Sequence, residues 1–122
     1  MSPTQARSAR AIEDITRAAR ARFGELGYEA ASIDDMARDV GRTKGAVYHH
    51  FPDKRALFEH VLAVEQREVA SIVARSTSLA GGIDVYLRHL ASTPAAARIT
   101  IVDGPSVLGW ERWRSCDDGA FR

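Results

Sequence analysis

Cysteine is nearly absent from this chain of 122 residues, which contains only Cys116. A single cysteine excludes an internal disulfide and a Cys-x-x-Cys zinc site. Long apolar runs are also missing, so we expect no membrane span. The N-terminal region has five arginines by Arg22 and no apolar stretch, unlike a secretory signal. We therefore expect a cytoplasmic protein.

The chain has no large excess of charge of either sign, since its formal net charge is +1. Residues 1–55 carry ten Lys/Arg and eight Asp/Glu, and the remaining residues carry seven and eight. This weakly basic front neither demonstrates nor excludes nucleic-acid binding, because cations grouped on one face suffice. The hydrophobic share of 45% and the charged share of 27% are typical of a globular protein.

The apolar residues recur at helical spacing, beginning with a long first helix that ends at Gly27. Its apolar stripe is predicted to comprise Ile12, Ile15, Ala19, Phe23 and Leu26. Tyr28 is expected to pack back on this helix. A short second helix is predicted from Ser32, which with Asp35 resembles a capping box, to Gly41. A third is predicted from Thr43, a suitable N-cap, to the neighbourhood of Phe51.

Four further helices are predicted after Pro52. Asp53 is the expected N-cap of a long fourth helix that reaches about Arg75. The pair Gly81-Gly82 predicts a break, with a fifth helix over 83–92 and a sixth from Pro94. The β-branched residues 99–102 favour a strand locally, but a lone strand has no partner, so we predict helix. Residues 106–115 are the predicted seventh helix, and the tail shows no period.

Residues 32–51 therefore form two short helices joined by a glycine-containing turn, the pattern of a helix-turn-helix. In that motif the first helix supports the second, which can lie in the major groove of DNA. A plain helical hairpin fits the same pattern, and the pattern alone does not decide between them.

Three details favour DNA. Lys44 and Lys54 each occupy a first helical turn, where the helix dipole disfavours a cation by about 0.3–1 kcal/mol. Phosphates approaching those helix ends would explain both lysines, although both could simply extend into solvent. Gly45 costs the third helix about 1 kcal/mol relative to alanine. The missing side chain allows a close approach to DNA, or it marks a loose helix start.

These residues carry a resemblance to a known family. The series Phe23, Gly27-Tyr28, Ser32, then the run Thr43–Phe51 followed by Lys54 and Leu57-Phe58, resembles the N-terminal domain of the TetR/AcrR family over residues 9–69. The resemblance implies an all-α fold and a dimeric repressor that binds a palindromic operator in double-stranded DNA. Residues 70–122 would be part of a regulatory domain that binds a small-molecule inducer.

The resemblance also implies roles for individual residues. Tyr48 and Lys54 correspond to phosphate contacts, and the front of the third helix lies nearest the base edges. The expected DNA-contacting residues are Ser32, Arg42, Thr43, Lys44, Gly45, Tyr48, His49, His50 and Lys54. Arg42 stands where many members have an apolar turn residue, so it either loses turn packing or adds a DNA contact. His50 is alternatively a packing or capping residue.

No metal, cofactor or catalytic site is expected. The adjacent residues His49 and His50 project about 100° apart on a helix, which disfavours a shared metal. His60 and His89 have no nucleophile or glycine-rich loop beside them, so an enzyme is not expected.

The chain is short for the family, whose last two helices build the dimer interface. Because it stops just after the predicted seventh helix, we expect a largely monomeric chain, although the resemblance implies a homodimer. The alternative to a working regulator is a truncated remnant that does not dimerise, or a fragment that heterodimerises. Trp110 and Trp113, at i and i+3, either line a ligand pocket or pack in a core, with core packing favoured. Without covering helices they would be exposed.

Overall fold

The computed structural model describes residues 2–114, and every regular element in that range is helical. The helices are α1 (Pro3–Leu26), α2 (Ile33–Asp39), α3 (Lys44–His50), α4 (Lys54–Ala74), α5 (Leu79–Ser92), α6 (Pro94–Ala97) and α7 (Gly104–Leu108). A π-helical segment, Arg98–Asp103, joins α6 to α7, and residues 110–114 form a further helical turn. The predicted all-α fold is thus confirmed, while the tail beyond residue 114 lies outside the described residues.

Capping residues confirm the predicted end of α1 and the predicted starts of α2, α3 and α4. Gly27 ends α1 with a φ of 85°, a left-handed conformation that glycine adopts without strain. The Ser32 hydroxyl accepts a hydrogen bond from the Asp35 N–H at 3.4 Å. At the next two helices, the Thr43 hydroxyl and the Asp53 carboxylate accept backbone N–H groups at 3.1 and 2.7 Å. These side chains fix where the helix-turn-helix begins and ends.

The core of the N-terminal half lies between α1, α2, α3 and α4. Phe23 and Phe58 are fully buried, with ring centroids 5.1 Å apart, and Tyr28 stacks on Phe23 as predicted. The core also contains Ile15, Ala19, Met36, Ala37, Val47, Leu57, Val61 and Leu62. The prediction of a buried α1 stripe was wrong for Leu26. This residue is 38% exposed and lies beside Gly27, where the helix ends.

Two ion pairs join α1 to α2 and to α4. Arg22 donates two hydrogen bonds of 2.7 Å to the carboxylate of Asp39, which joins α1 to the end of α2. Those hydrogen bonds lower the pKa of Asp39 and raise that of Arg22. Between α1 and α4, Arg20 pairs with the fully buried carboxylate of Glu65. Both α2 and α4 are therefore held on the first helix by charge as well as by apolar packing.

The predicted break at Gly81-Gly82 was wrong, because both glycines lie inside α5. Ser78 is the N-cap, and its hydroxyl accepts the Gly81 N–H at 3.0 Å. Gly82 is buried, and a Cβ placed there would lie 3.2 Å from Cγ1 of Val73 on α4. Gly82 therefore permits the close approach of α5 to α4, and neither glycine ends a helix.

The β-branched run 99–102 is helical, as predicted, but it adopts π-helical geometry. The Gly104 N–H donates to the Ile99 carbonyl, five residues earlier. The next donor in that series would be Pro105, which has no N–H. The carbonyl of Thr100 instead accepts a hydrogen bond of 2.7 Å from Nε1 of Trp113. A side chain thus replaces the backbone donor that proline lacks.

The predicted seventh helix over 106–115 was wrong at its start and in its continuity. The helix α7 begins earlier, at Gly104, with Pro105 in its first turn. It stops at Leu108, because Gly109 adopts a φ of 84°. The helical turn over 110–114 follows, and its Trp113 indole hydrogen-bonds to the π-helical segment.

Candidate nucleic-acid interface

The third helix presents one side to the core and the other to solvent. Val47 is 1% exposed and anchors α3 among the buried residues. The remaining front of the helix is open, and its exposed residues are Thr43, Lys44, Gly45, Tyr48 and His49. We call these five residues the α3 face. They comprise most of the predicted DNA-contacting set.

Lys44 is the first residue of α3, and its ammonium is held by two neighbours. Its Nζ lies 3.8 Å from Oδ2 of Asp34 on α2 and 6.0 Å from the ring centroid of Tyr48. The side chains of Lys44 and Asp34 are 55% and 56% exposed. The lysine thus remains accessible to an anion, although a carboxylate competes for it.

Lys54, at the start of α4, is anchored to the loop that follows α1. Its Nζ donates a hydrogen bond of 3.2 Å to the carbonyl of Glu29 and lies 4.6 Å from the ring centroid of Tyr28. One hydrogen bond leaves further donor capacity on an ammonium, which has three N–H groups. The contacts therefore fix the position of the ammonium and leave it able to donate to a further acceptor.

Arg42 makes an ion pair that the sequence did not predict. Its guanidinium donates to Oδ2 of Asp14 at 3.2 Å, so the arginine ties the helix-turn-helix turn to α1. The other oxygen of Asp14 pairs with Arg17 at 2.8 Å. The hydrogen bond from Arg42 is the main reason that the pKa of Asp14 is lowered. An ion pair thus replaces the apolar turn contact at this position.

The other predicted residues divide between open and enclosed positions. Gly45 is exposed, and a Cβ there would meet only the Thr43 hydroxyl, at 3.9 Å. Ser32 is half-buried and caps α2. The rings of His49 and His50 lie 4.9 Å apart, with the first exposed and the second half-buried. Burial, and then the charges of His49 and Arg42, lower the pKa of His50.

The two tryptophans, which the sequence grouped together, have different environments. The ring centroids of Trp110 and Trp113 are 5.0 Å apart. Trp113 is half-buried, packs on the core and hydrogen-bonds to Thr100. Trp110 is 61% exposed, so the expectation of core packing was wrong for it.

The sequence reading missed the acceptors that hold the cations. Asp34 and Asp14 were not among the predicted site residues. An acid-to-base separation of ten residues, as between Asp34 and Lys44, is informative once a helix-turn-helix is assumed, because the turn folds α2 against α3. In the described part of the chain, no group of three or more His, Cys, Asp or Glu could hold a metal.

Comparison with known proteins decides the family. The family model for bacterial regulatory proteins of the tetR family matches residues 15–61, which run from α1 through the helix-turn-helix into α4. The matched segment is of the tetR family. The matched segment includes both α2 and α3, and the resemblance stated from the sequence is confirmed.

Related proteins match the chain over different lengths. The HTH-type transcriptional repressor AcnR of Corynebacterium diphtheriae is 36% identical over 64 residues, which is 52% of this chain and 34% of that protein. The A-factor receptor protein of Streptomyces griseus is 30% identical over 124 residues, covering 97% of this chain. The chain spans 44% of the length of that receptor. Both are named as a regulator or receptor, in keeping with a protein that is not an enzyme.

Solved structures agree on the fold. A tetR family transcription regulator from Shewanella sp. PV-4 superimposes with a TM-score of 0.70 at 21% identity, over 90% of this chain and 61% of that one. A second, from Mesorhizobium loti, gives a TM-score of 0.57 at 26% identity, over 94% of this chain and 68% of the other. Within residues 2–114, no helix is both long and apolar enough to cross a membrane.

Proposed function

We propose that the chain is a sequence-specific DNA-binding transcriptional regulator, acting as a repressor, that reads an operator with its α3 face. The supporting observation is the division of α3 into a buried anchor, Val47, and an open front that carries Lys44, Gly45 and Tyr48. The helix α2 supports this front from behind, as the first helix of a helix-turn-helix does. The similarity of the chain to the repressor AcnR of C. diphtheriae over 64 residues adds support.

Each part of the face has a role in this proposal. The cations of Lys44 and Lys54 and the Tyr48 hydroxyl bind phosphates and set the register of the protein on the duplex. Gly45 lets the backbone of α3 approach the base edges in the major groove. The other proposed contacts are to the DNA backbone on either side of these residues. They are made by Ser32, Arg42, His49 and His50. The DNA-binding domain comprises residues 9–69.

We further propose that the operator is a palindrome read by two copies of the helix-turn-helix. Dimeric proteins of this kind contact half-sites about 34–36 Å apart, one turn of DNA. The second contact is then effectively intramolecular, which multiplies affinity. A chain that stays monomeric in sedimentation analysis and binds one half-site weakly supports the alternative, a remnant or heterodimerising fragment.

Ligand response is the third part of the proposal and is assigned to residues 70–122. Support comes from the alignment with a named receptor, the A-factor receptor protein, along almost the whole chain. Direct contacts join the two parts: Arg98 donates to the carbonyls of Glu25 and Leu26 at 3.1 and 3.3 Å, and Asp103 accepts from the Tyr28 N–H at 3.1 Å. A small molecule that shifts the π-helical segment would thus act on the loop that anchors Lys54.

Selection of DNA from a random duplex library by the 122-residue chain tests the proposal. We expect one sequence to be enriched and to bind more tightly than a mixed-sequence duplex in fluorescence anisotropy. Gly45→Leu should keep the fold, because Cβ has room there, yet bind the selected duplex at least tenfold more weakly. Ala80→Leu, an exposed change on α5, is the control and should bind as the parent does. No enrichment, or equal binding by Gly45→Leu, would overturn the proposal.

A further inference from the structure

One acidic residue beside the α3 face, Asp34, is unexpected on a surface that binds DNA. Asp34, in the first turn of α2, is 56% exposed and lies 3.8 Å from Nζ of Lys44. A carboxylate at this place repels the phosphates that the neighbouring lysine attracts. It also competes with those phosphates for the ammonium.

We propose that Asp34 is a specificity-determining residue, which restrains Lys44 and thereby lowers the affinity for DNA of unrelated sequence. This inference rests on the proposed function. Sequence-independent binding comes from phosphate attraction, which needs cations near the duplex and little geometric order. A lysine paired with Asp34 contributes less to that attraction, because it must first give up the pair.

Binding to the operator is affected differently. There Lys44 makes a directed contact, for which a restrained side chain loses less rotamer freedom than a free one. The pair with Asp34 and the ring of Tyr48, 6.0 Å from the ammonium, together supply that restraint. On the operator, the gain from a restrained Lys44 therefore opposes the repulsion by Asp34. On DNA of unrelated sequence, only the repulsion acts.

A purely structural role for Asp34 predicts a different result. A carboxylate in the first turn of α2 is favourable for the helix dipole, and it offsets the unfavourable position of Lys44 at the start of α3. If that were its whole role, removing the charge would lower thermal stability and leave the ratio of the two DNA affinities unchanged. The ratio is therefore the measurement that separates the two roles.

The experiment uses the 122-residue chain, the duplex it selects from a random library, and a mixed-sequence duplex of equal length. Asp34→Asn should bind the mixed duplex about three- to tenfold more tightly at about 100 mM salt, with a salt slope steeper by about 0.9. Its affinity for the selected duplex should change by less than about twofold. The specificity ratio should therefore fall by about 1.5-fold at the least and about 20-fold at the most.

Two control variants complete the test. Asp84→Asn removes an equally exposed carboxylate from an ion pair with Arg88 on α5, so it matches the change in net charge and should bind as the parent does. Asp34→Glu keeps the charge and should preserve the ratio. Equal tightening on both duplexes, or the same tightening by Asp84→Asn, would overturn the role of Asp34. Failure of the parent chain to bind either duplex would instead overturn the proposed function itself.

Discussion

Replacing Lys54 with methionine removes one charge while keeping most of the side-chain length. The ammonium lies 3.2 Å from the Glu29 carbonyl and 4.6 Å from the Tyr28 ring, so its position at the start of α4 is fixed. If it binds one phosphate, its loss should make the slope of log affinity against log salt shallower by about 0.9. A fourfold change in salt, from about 50 to about 200 mM, should then weaken the variant about 3.5-fold less than the parent.

The same substitution has a separate cost in stability. It removes one exposed hydrogen bond and one exposed cation–π contact, each worth about 0.5–1 kcal/mol. It also relieves an unfavourable cation in a first helical turn, by about 0.3–1 kcal/mol. We therefore expect the free energy of unfolding to fall by about 0.5–1 kcal/mol, measured by urea denaturation followed by circular dichroism. The variant thus remains folded in the DNA assay.

Fluorescence anisotropy titrations at four salt concentrations, on selected and mixed-sequence duplexes, measure the effect on DNA. Both affinities should drop by a similar factor, because a phosphate contact carries no sequence information. Arg88→Met, which removes an exposed charge from α5, is the matched control and should leave the slope unchanged. An unchanged slope for Lys54→Met, with the parent binding both duplexes, would refute the phosphate contact.

Two further predictions concern stability. Trp113→Phe should lower the free energy of unfolding by about 1–2 kcal/mol in thermal denaturation, because the carbonyl of Thr100 loses its donor; Trp110→Phe, at an exposed position, should cost less than about 0.5 kcal/mol. Burial holds the pKa of both His60 and His50 below their ordinary value of 6.5, so the unfolded chain binds more protons below that pH. The free energy of unfolding should therefore fall between about pH 7 and about pH 5 in urea titrations, and less steeply in His60→Gln.

Equal losses in the two tryptophan variants would contradict the role of the indole N–H. For the histidines, a free energy of unfolding that does not change over this pH range would contradict the argument from burial. If His60→Gln leaves the slope of the free energy of unfolding against pH unchanged, groups other than His60 cause the pH dependence.

The helix-turn-helix could be predicted from sequence because its ends depend on local chemistry. Side chains of Thr43 and Asp53 cap the helices that follow them, and Gly27 and Gly41 take the positive φ that ends a helix. Each of these signals involves residues within one turn of the helix that they limit. The apolar period of α1 placed Ile15, Ala19 and Phe23 in the core for the same reason.

Predictions failed where contacts distant in sequence decide the structure. Gly81-Gly82 reads locally as a break, yet both residues are helical, and Gly82 lies against Val73 of α4. The π-helical geometry of 98–103 depends on Pro105 and on the indole of Trp113, thirteen residues after the carbonyl that it satisfies. The acceptors of the cations were missed likewise, because Asp14 and Arg42 are 28 residues apart.

The most direct test of the central claim is a map of the amide resonances that shift when DNA binds. The 15N-labelled chain is titrated with the duplex that it selects, in two-dimensional NMR. We expect the largest shifts on the α3 face, at Thr43, Lys44, Gly45 and Tyr48, with Lys54 affected and α5 (Leu79–Ser92) unchanged. Shifts confined to α5 or to residues 104–114, with none on α3, would contradict the assignment of the α3 face as the DNA-reading surface.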